Sequence, residues 1–140
     1  MRKKEEKKTE VTECLLKETN DQSQRLVGDC FFVRQGERME KCFYSEVLYV
    51  EASGCYSYIY RRDKPRLSIA YPLLVVEPWL PRDMFRRIHR SYIVNLREVE
   101  GFIGKAICIA DRVLPVSPLY REEVFGCFLF WELKRKKKVQ

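Results

Sequence analysis

The chain has 140 residues, of which 46% are hydrophobic and 13% are aromatic, so it can bury the core of one domain with tails. Its formal charge of +7 favours a polyanionic partner. The six cysteines include no C-x-x-C pair and there is one histidine, which argues against a zinc ribbon, a thioredoxin-like motif or another metal site.

The N-terminal segment, residues 1–27, is highly charged and lacks the apolar stretch of a secretion signal. It is predicted to be a tail, with a short helix at Glu10–Lys17 as an alternative. Without a secretion signal the thiols should stay reduced, so a cytoplasmic protein is expected. The longest apolar run, Val124–Trp131, is too short to cross a bilayer, and no membrane span is predicted.

Strand patterns dominate the next part of the chain. Phe31–Arg34 and Met39–Tyr44 flank a Gln-Gly-Glu turn sequence and are predicted to form a hairpin. Val47–Ala52 is apolar on both faces and is therefore predicted to be a central strand. In Tyr56–Arg61 the tyrosines occupy every second position, which favours packing on a sheet over stacking on bases.

Two helices are predicted in the second half. Pro72–Leu80 is a short helix that Pro78 should end or kink. A second helix begins at Ser117-Pro118, a serine N-cap followed by proline, and is expected to run to about Trp131 and to pack Trp131 inward. Further strands are predicted at Arg66–Ala70, Tyr92–Leu96, Val99–Ile103, Lys105–Ala110 and Val113–Val116. The chain is therefore predicted to be mainly β, with a basic tail at residues 133–140.

The segment FRRIHRSYIVN, Phe85–Asn95, places three arginines around the only histidine and then becomes apolar. It is predicted to be a basic loop that leads into a buried strand. Arginine offers a planar fork of donors that fits a phosphate or the acceptor edge of guanine, so this segment suits nucleic acid. A merely solvated charged face is the alternative.

Four segments, in their order and spacing, resemble the LytTR DNA-binding domain, the output module of many bacterial response regulators. They are Val47–Tyr60 with its Val-Glu-Ala sequence, Leu73–Leu80, Phe85–Asn95, and Leu114–Val124 with its Leu-Pro-Val-Ser sequence. The resemblance covers about residues 29–130, most of the chain.

This resemblance implies an elongated, mainly β fold of about ten short strands in small antiparallel sheets, with one short internal and one C-terminal helix, that presents loops to DNA. It places the DNA-binding domain at residues 28–132. No pair of adjacent amphipathic helices flanks the basic segment, which argues independently against a helix-turn-helix. About 27 preceding residues are too few for a receiver domain, so none is expected.

The implied function is that of a transcriptional regulator that binds double-stranded DNA sequence-specifically through the major grooves. Two protomers are expected on repeated sites, and RNA polymerase or a regulatory protein is a further expected partner. Neither a cofactor nor a metal is expected.

The implied DNA contacts fall in three segments of the chain. In the first, Ser57 matches a contact position of the family, with Tyr56 beside it; a serine that only faces a strand is the alternative. Arg61 would supply charge for the DNA backbone or would only keep a turn soluble.

In the second segment, Arg90 is expected to contact a base or the backbone and Ser91 a phosphate, with Arg87 and His89 beside them. His89 is interpreted mainly as a residue that holds the loop by hydrogen bonds, with direct DNA contact as the alternative. Asn95 is expected to tie the following turn to backbone groups.

In the third segment, Ser117 matches a phosphate contact of the family. The family often has a basic residue one or two places later, where this chain has Pro118 and Leu119. Arg121 could replace that residue from the next helical turn.

A basic β module that binds an acidic protein or an anionic membrane surface is the alternative function, with the lysine-rich residues 134–138 as an electrostatic anchor. An enzyme is not expected, because the chain has no paired carboxylates at a suitable spacing and no glycine-rich phosphate loop. Cys55, which the resemblance places in a DNA-facing loop, is a candidate for redox control.

Overall fold

The computed structural model describes residues 27–132, so the predicted helix at Glu10–Lys17 and the basic residues 134–138 lie outside the described residues. Strands make up nearly half of the described part, and the predicted mainly β class is confirmed. The strands and α-helices are β1 (Cys30–Gln35), β2 (Arg38–Phe43), β3 (Val47–Ser53), β4 (Tyr56–Arg61), β5 (Lys64–Ile69), α1 (Leu73–Val76), β6 (Phe85–His89), β7 (Tyr92–Asn95), β8 (Gly101–Ile103), β9 (Ala106–Ile109), β10 (Arg112–Pro115) and α2 (Pro118–Phe125).

A five-stranded antiparallel sheet with the strand order β5-β4-β3-β7-β6 lies between two covering layers. Strand β3 is its central strand, as its two apolar faces predict. Successive side chains of a strand point to opposite faces. Tyr49 and Val50, which are 3% and 1% exposed, therefore enter two different cores.

One face of this sheet is covered by α1 and by the β1–β2 hairpin. The first core joins Val50 and Ile59 of the sheet to Leu73 of α1 and Val33 of the hairpin. The hairpin has the predicted turn, in which Gly36 adopts a φ of 65° that glycine accepts without steric cost.

The opposite face is covered by α2 and by a three-stranded sheet with the strand order β10-β9-β8. The second core joins Ile88 and Val94 of the large sheet to Ile107 of the small sheet and Val124 of α2. Because both faces of the large sheet are covered, its ends are the places where turns can meet a large partner.

The basic segment is a strand and a tight turn, and the prediction of a basic loop was wrong. Phe85–His89 forms the edge strand β6, which pairs with β7, so that only Arg90 and Ser91 remain between the strands. Phe85 is 2% exposed in the first core and Ile88 is 0% exposed in the second. Burial of these two residues on opposite faces makes the segment extended despite its three arginines.

Both helices are shorter than predicted. Helix α1 ends at Val76, and Pro78 lies in a following 3-10 turn, Glu77–Trp79, as its missing N–H favours. Helix α2 ends at Phe125, and Trp131 is 90% exposed, so the prediction that this helix continues to Trp131 and packs it inward was wrong.

Aromatic packing explains the early end of α2. The ring of Phe102 lies 5.4 Å from that of Phe125, 5.2 Å from that of Phe128 and 5.1 Å from that of Phe130. Gly126, a weak helix former, follows the helix, so the chain leaves the helical path and folds its aromatic rings over β8.

Candidate nucleic-acid interface

The β3–β4 turn and the β6–β7 turn lie at the same end of the five-stranded sheet. Ser53 pairs with Tyr56 across the first turn, and the backbone N–H of Ala52 donates to the carbonyl of Ser91 at 2.9 Å. These pairings place residues 53–56 beside residues 89–91. Both turns are therefore held by the rigid strands from which they extend.

Ser117 attaches the start of α2 to the same end. Its backbone N–H donates to the carbonyl of Ile88 at 2.9 Å, and its hydroxyl donates to that carbonyl at 3.4 Å. Ser117 is the N-cap residue of α2, as predicted, with Pro118 at the start of the helix. Its hydroxyl makes no capping hydrogen bond to the helix, because it donates to the Ile88 carbonyl instead. We call residues 53–56, 89–91 and 117–121 together the turn edge.

The turn edge is wide compared with a DNA groove. Between Tyr56 on β4 and Ser117 the sheet is crossed in four steps between hydrogen-bonded neighbours: from β4 to β3, from β3 to β7, from β7 to β6, and from β6 to residue 117. At about 4.8 Å a step these amount to roughly 20 Å, whereas the B-DNA major groove is about 12 Å wide. Side chains along the whole edge can therefore meet a groove and its flanking phosphates together.

Side chains of the β6–β7 hairpin hold its turn. The backbone N–H of Ser91 donates to His89 Nδ1 at 3.1 Å, which confirms that His89 holds the loop. Arg87 donates from Nε to the carbonyl of His89 at 2.8 Å and from Nη2 to that of Arg90 at 2.9 Å. The turn is thus ordered before any partner arrives.

Arg90 and Tyr56 are the most accessible predicted contact residues of the turn edge. Arg90 is exposed and forms no ion pair within residues 27–132, and Tyr56 is 51% exposed. Ser91 is half-buried. Arg121, also half-buried, donates from Nε to the carbonyl of Val116 at 3.1 Å, which holds its guanidinium close to Ser117.

The structure buries Ser57, which was predicted to contact DNA. Ser57 is 0% exposed, and its hydroxyl donates to the carbonyl of Tyr71 at 2.7 Å. Because alternate residues of β4 face opposite sides, Ser57 lies on the core side, next in the chain to the exposed Tyr56. Tyr56 is therefore the member of this pair that can reach DNA.

Arg61, also predicted to contact DNA, is buried and paired within the protein. Its side chain is 4% exposed, donates to the carbonyl of Pro65 at 2.7 Å and forms an ion pair with Glu40 at 3.3 Å. It lies at the other end of β4 from Tyr56, about 17 Å along an extended strand. The β4–β5 turn therefore belongs to the end of the sheet opposite the turn edge.

Arg87, a third predicted contact, has all of its guanidinium nitrogens engaged within the protein. Besides its two bonds to the turn, its Nη1 forms an ion pair with Glu77 Oε1 at 2.8 Å, and its side chain is 13% exposed. Of the three arginines around His89, only Arg90 is exposed. Arg86 is also paired, with Glu123 of α2 at 2.6 Å.

Arg112 is a candidate that sequence reasoning missed. It is exposed, and it donates to the hydroxyl of Tyr49 at 2.8 Å and to that of Tyr92 at 3.4 Å, directly after the β6–β7 turn. Burial raises the pKa of the Tyr49 phenol, and Arg112 opposes this effect. No local sequence pattern indicates this position, because Arg112 and Tyr92 are 20 residues apart.

Within the part of the chain that the structure describes, no three His, Cys, Asp or Glu side chains are grouped so that they could hold a metal ion. Among the helices of residues 27–132, none has the length and apolar character needed to cross a membrane.

Comparison with known proteins identifies the family and the fold of the chain. The family model described as "LytTr DNA-binding domain" matches residues 37–125, more than half of the chain. A solved LytTr DNA-binding domain from Bacillus cereus is similar over 71% of this chain and 95% of its own, with a TM-score of 0.59 and 23% sequence identity, which shows a shared fold. No curated protein matches the chain. The chain therefore belongs to the LytTR DNA-binding domain family.

Proposed function

We propose that this protein is a transcriptional regulator that binds double-stranded DNA sequence-specifically, with the turn edge in or beside successive major grooves. Two protomers occupy repeated sites, and the bound protein recruits or blocks RNA polymerase. The observation that carries this proposal is the gathering of Tyr56, Arg90 and Ser117 from three distant segments at one end of a rigid sheet.

The roles within the turn edge follow from the chemistry and exposure of each side chain. Arg90 is exposed on a tight turn, where its guanidinium can donate two parallel hydrogen bonds to a guanine or contact a phosphate. Ser91 and Arg121 are suited to phosphates beside it. Tyr56 offers a hydroxyl and an apolar ring to the groove at the other end of the edge.

The test begins with selection of duplexes from a random pool by the purified protein, followed by binding titrations on the enriched duplex and on a scrambled one. An enriched motif that occurs twice at a fixed spacing is expected for two protomers. Arg90→Ala should weaken binding to the enriched duplex by about 1–3 kcal/mol and relax the base preference at one position.

Arg97→Ala is the matched control, because Arg97 is an exposed arginine beyond β7 at the opposite end of the sheet, with a side chain that is 63% exposed. Arg97→Ala removes one positive charge, as Arg90→Ala does, and should leave the preference for the enriched over the scrambled duplex intact. Equal losses for Arg90→Ala on every duplex would make Arg90 a backbone contact. If no duplex is enriched and anionic vesicles bind instead, the alternative of a membrane-surface module is correct.

A further inference from the structure

Strand β6, which directly precedes Arg90, forms an ion pair on each of its two faces. On one face, Arg86 of β6 pairs with Glu123 of α2 at 2.6 Å. On the other, Arg87 pairs with Glu77, in the 3-10 turn after α1, at 2.8 Å. Only the second pair also reaches the turn itself.

The Arg87 guanidinium connects Glu77 to the turn through three hydrogen bonds, one to the carboxylate and two to the carbonyls of His89 and Arg90. The β6–β7 register shifts between Arg87 and His89, so the turn departs from regular strand pairing at this point. The guanidinium thus holds an irregular turn in one shape.

Attraction to DNA does not explain why a carboxylate, that of Glu77, lies beside the turn edge. A carboxylate close to a DNA-binding surface repels phosphates and lowers affinity for every duplex. It also neutralises Arg87, which would otherwise be free to contact a phosphate. Glu77 is consistent with a role in orienting Arg87 and, through it, the turn.

We propose that Glu77 and Arg87 are positioning residues, which set the direction in which Arg90 is presented to DNA and do not touch DNA themselves. This inference rests on the proposed function of the turn edge. The pair confers preference for one duplex over another, because base contacts need a fixed geometry while phosphate contacts tolerate movement.

The experiment compares Glu77→Ala, Arg87→Lys, Arg87→Ala and the double variant of Glu77→Ala with Arg87→Lys against the wild type. Each is titrated on the enriched and the scrambled duplex over a range of salt concentrations. Glu77→Ala should bind the enriched duplex about tenfold more weakly, although it removes a negative charge. Arg87→Lys keeps the charge but loses the planar fork of donors, so it should lose the preference for the enriched duplex. The salt slope, which is the slope of log affinity against log salt concentration, should stay unchanged. The double variant should lose little more than either single one.

Glu98→Ala is the control for charge, because Glu98 pairs with Arg62 at the end of the sheet opposite the turn edge. It should bind both duplexes slightly more tightly than the wild type. The inference is overturned if Glu77→Ala behaves like this control. It is also overturned if Arg87→Ala lowers the salt slope by about 0.9 and weakens both duplexes equally, as loss of one phosphate contact would.

Amide hydrogen exchange without DNA separates this inference from the proposed function. Glu77→Ala should speed exchange in the peptide that contains Ser91, while exchange in β3 and the thermal unfolding midpoint stay close to those of the wild type. Unchanged exchange in that peptide would refute the positioning role. If the turn loosens as expected but the wild type prefers no duplex, the proposed function fails and the structural role of the pair stands.

Discussion

At the scale of single residues, burial separates two neighbouring residues that the resemblance predicted to contact DNA. Ser57 and Tyr56 are adjacent in β4, yet Ser57 is 0% exposed and Tyr56 is 51% exposed. The Ser57 hydroxyl holds the chain after β5 through the carbonyl of Tyr71. A serine at this position therefore contributes to stability, and Tyr56 faces the solvent beside it.

Ser57→Ala should lower the free energy of unfolding by about 1 kcal/mol, because the partly buried hydrogen bond from the Ser57 hydroxyl to the Tyr71 carbonyl is lost. Binding to the enriched duplex should stay within about twofold of the wild type, since no contact at the turn edge is removed. Denaturant unfolding and a binding titration measure the two effects. Ser68→Ala, at an exposed serine of β5, is the control and should change neither. A tenfold loss of affinity at unchanged stability would restore Ser57 as a DNA contact.

Cys42 shows how burial controls reactivity. Burial raises the pKa of its thiol from 9.0 to about 11, with Arg61 opposing the shift. The pKa is higher in the folded than in the unfolded chain. The contribution of the protonated Cys42 thiol to the free energy of unfolding is therefore fully present below pH 9 and is lost as the pH rises towards about 11.

In the native protein at pH 8, a maleimide should label the exposed Cys55 and Cys127 within minutes and leave Cys42 unlabelled. A rise of the pKa by two units lowers the thiolate fraction about 100-fold, and burial also blocks access. Peptide mapping by mass spectrometry gives the result, and labelling in denaturant supplies the control in which Cys42 also reacts. Equal native labelling of Cys42 and Cys55 would contradict this account.

At the scale of elements, strand ends are anchored by residues distant in sequence. Asn95 is 0% exposed; its side-chain amide donates to the carbonyl of Val47 at 2.9 Å, and its Oδ1 accepts from the N–H of Arg97 at 3.0 Å. This confirms the predicted role of Asn95 in the turn after β7 and extends it to the start of β3. The edge hairpin is thereby fastened to the central strand.

Aromatic packing fixes the end of α2 and of the chain that follows it. Phe102→Ala should lower the free energy of unfolding by about 2 kcal/mol, below the value of a fully buried phenylalanine, because Phe102 is only partly buried. Denaturant titration measures the loss. Trp131→Ala is the control, since Trp131 is 90% exposed and its removal should change stability by less than about 0.5 kcal/mol. A larger effect of Trp131→Ala would show that this ring packs in solution.

At the scale of the whole molecule, the placement of free cations matters more than the formal charge of +7. Several arginines are already paired within the described residues, as Arg82 and Arg86 are with Glu123. Arg90 has no such partner among residues 27–132, and it lies on the turn edge. DNA is therefore expected to dock at this end of the sheet.

Affinity should fall steeply with salt, with a log-log slope of about 0.9 for each phosphate neutralised. Arg121→Ala should make that slope shallower by about 0.9 and weaken the enriched and scrambled duplexes equally, because a phosphate contact carries no sequence information. Titrations from low to moderate salt give the slopes. Arg97→Ala should leave the slope unchanged, and a similar decrease for both variants would mean that DNA docks elsewhere.

The sequence by itself determined the LytTR family, the mainly β class, the central position of Val47–Ala52 and the anchoring role of Asn95. These follow from hydrophobic pattern, turn residues and the order of motifs, which are properties of local sequence. The sequence also predicted that Arg90 would be accessible to a partner, and the structure shows it exposed on a tight turn. The predicted basic loop was wrong because Phe85 and Ile88 are buried on opposite faces.

Only the tertiary structure decided which polar side chains remain available to DNA. Ser57, Arg61 and Arg87 have residue types suited to DNA contact, but their partners are Tyr71, Glu40 and Glu77. Those partners come from other strands and turns, and Arg112 reaches Tyr92 in the same way. The physical reason is that a donor's partner depends on pairing between distant segments, whereas the tendency to form a strand depends on neighbours in the chain.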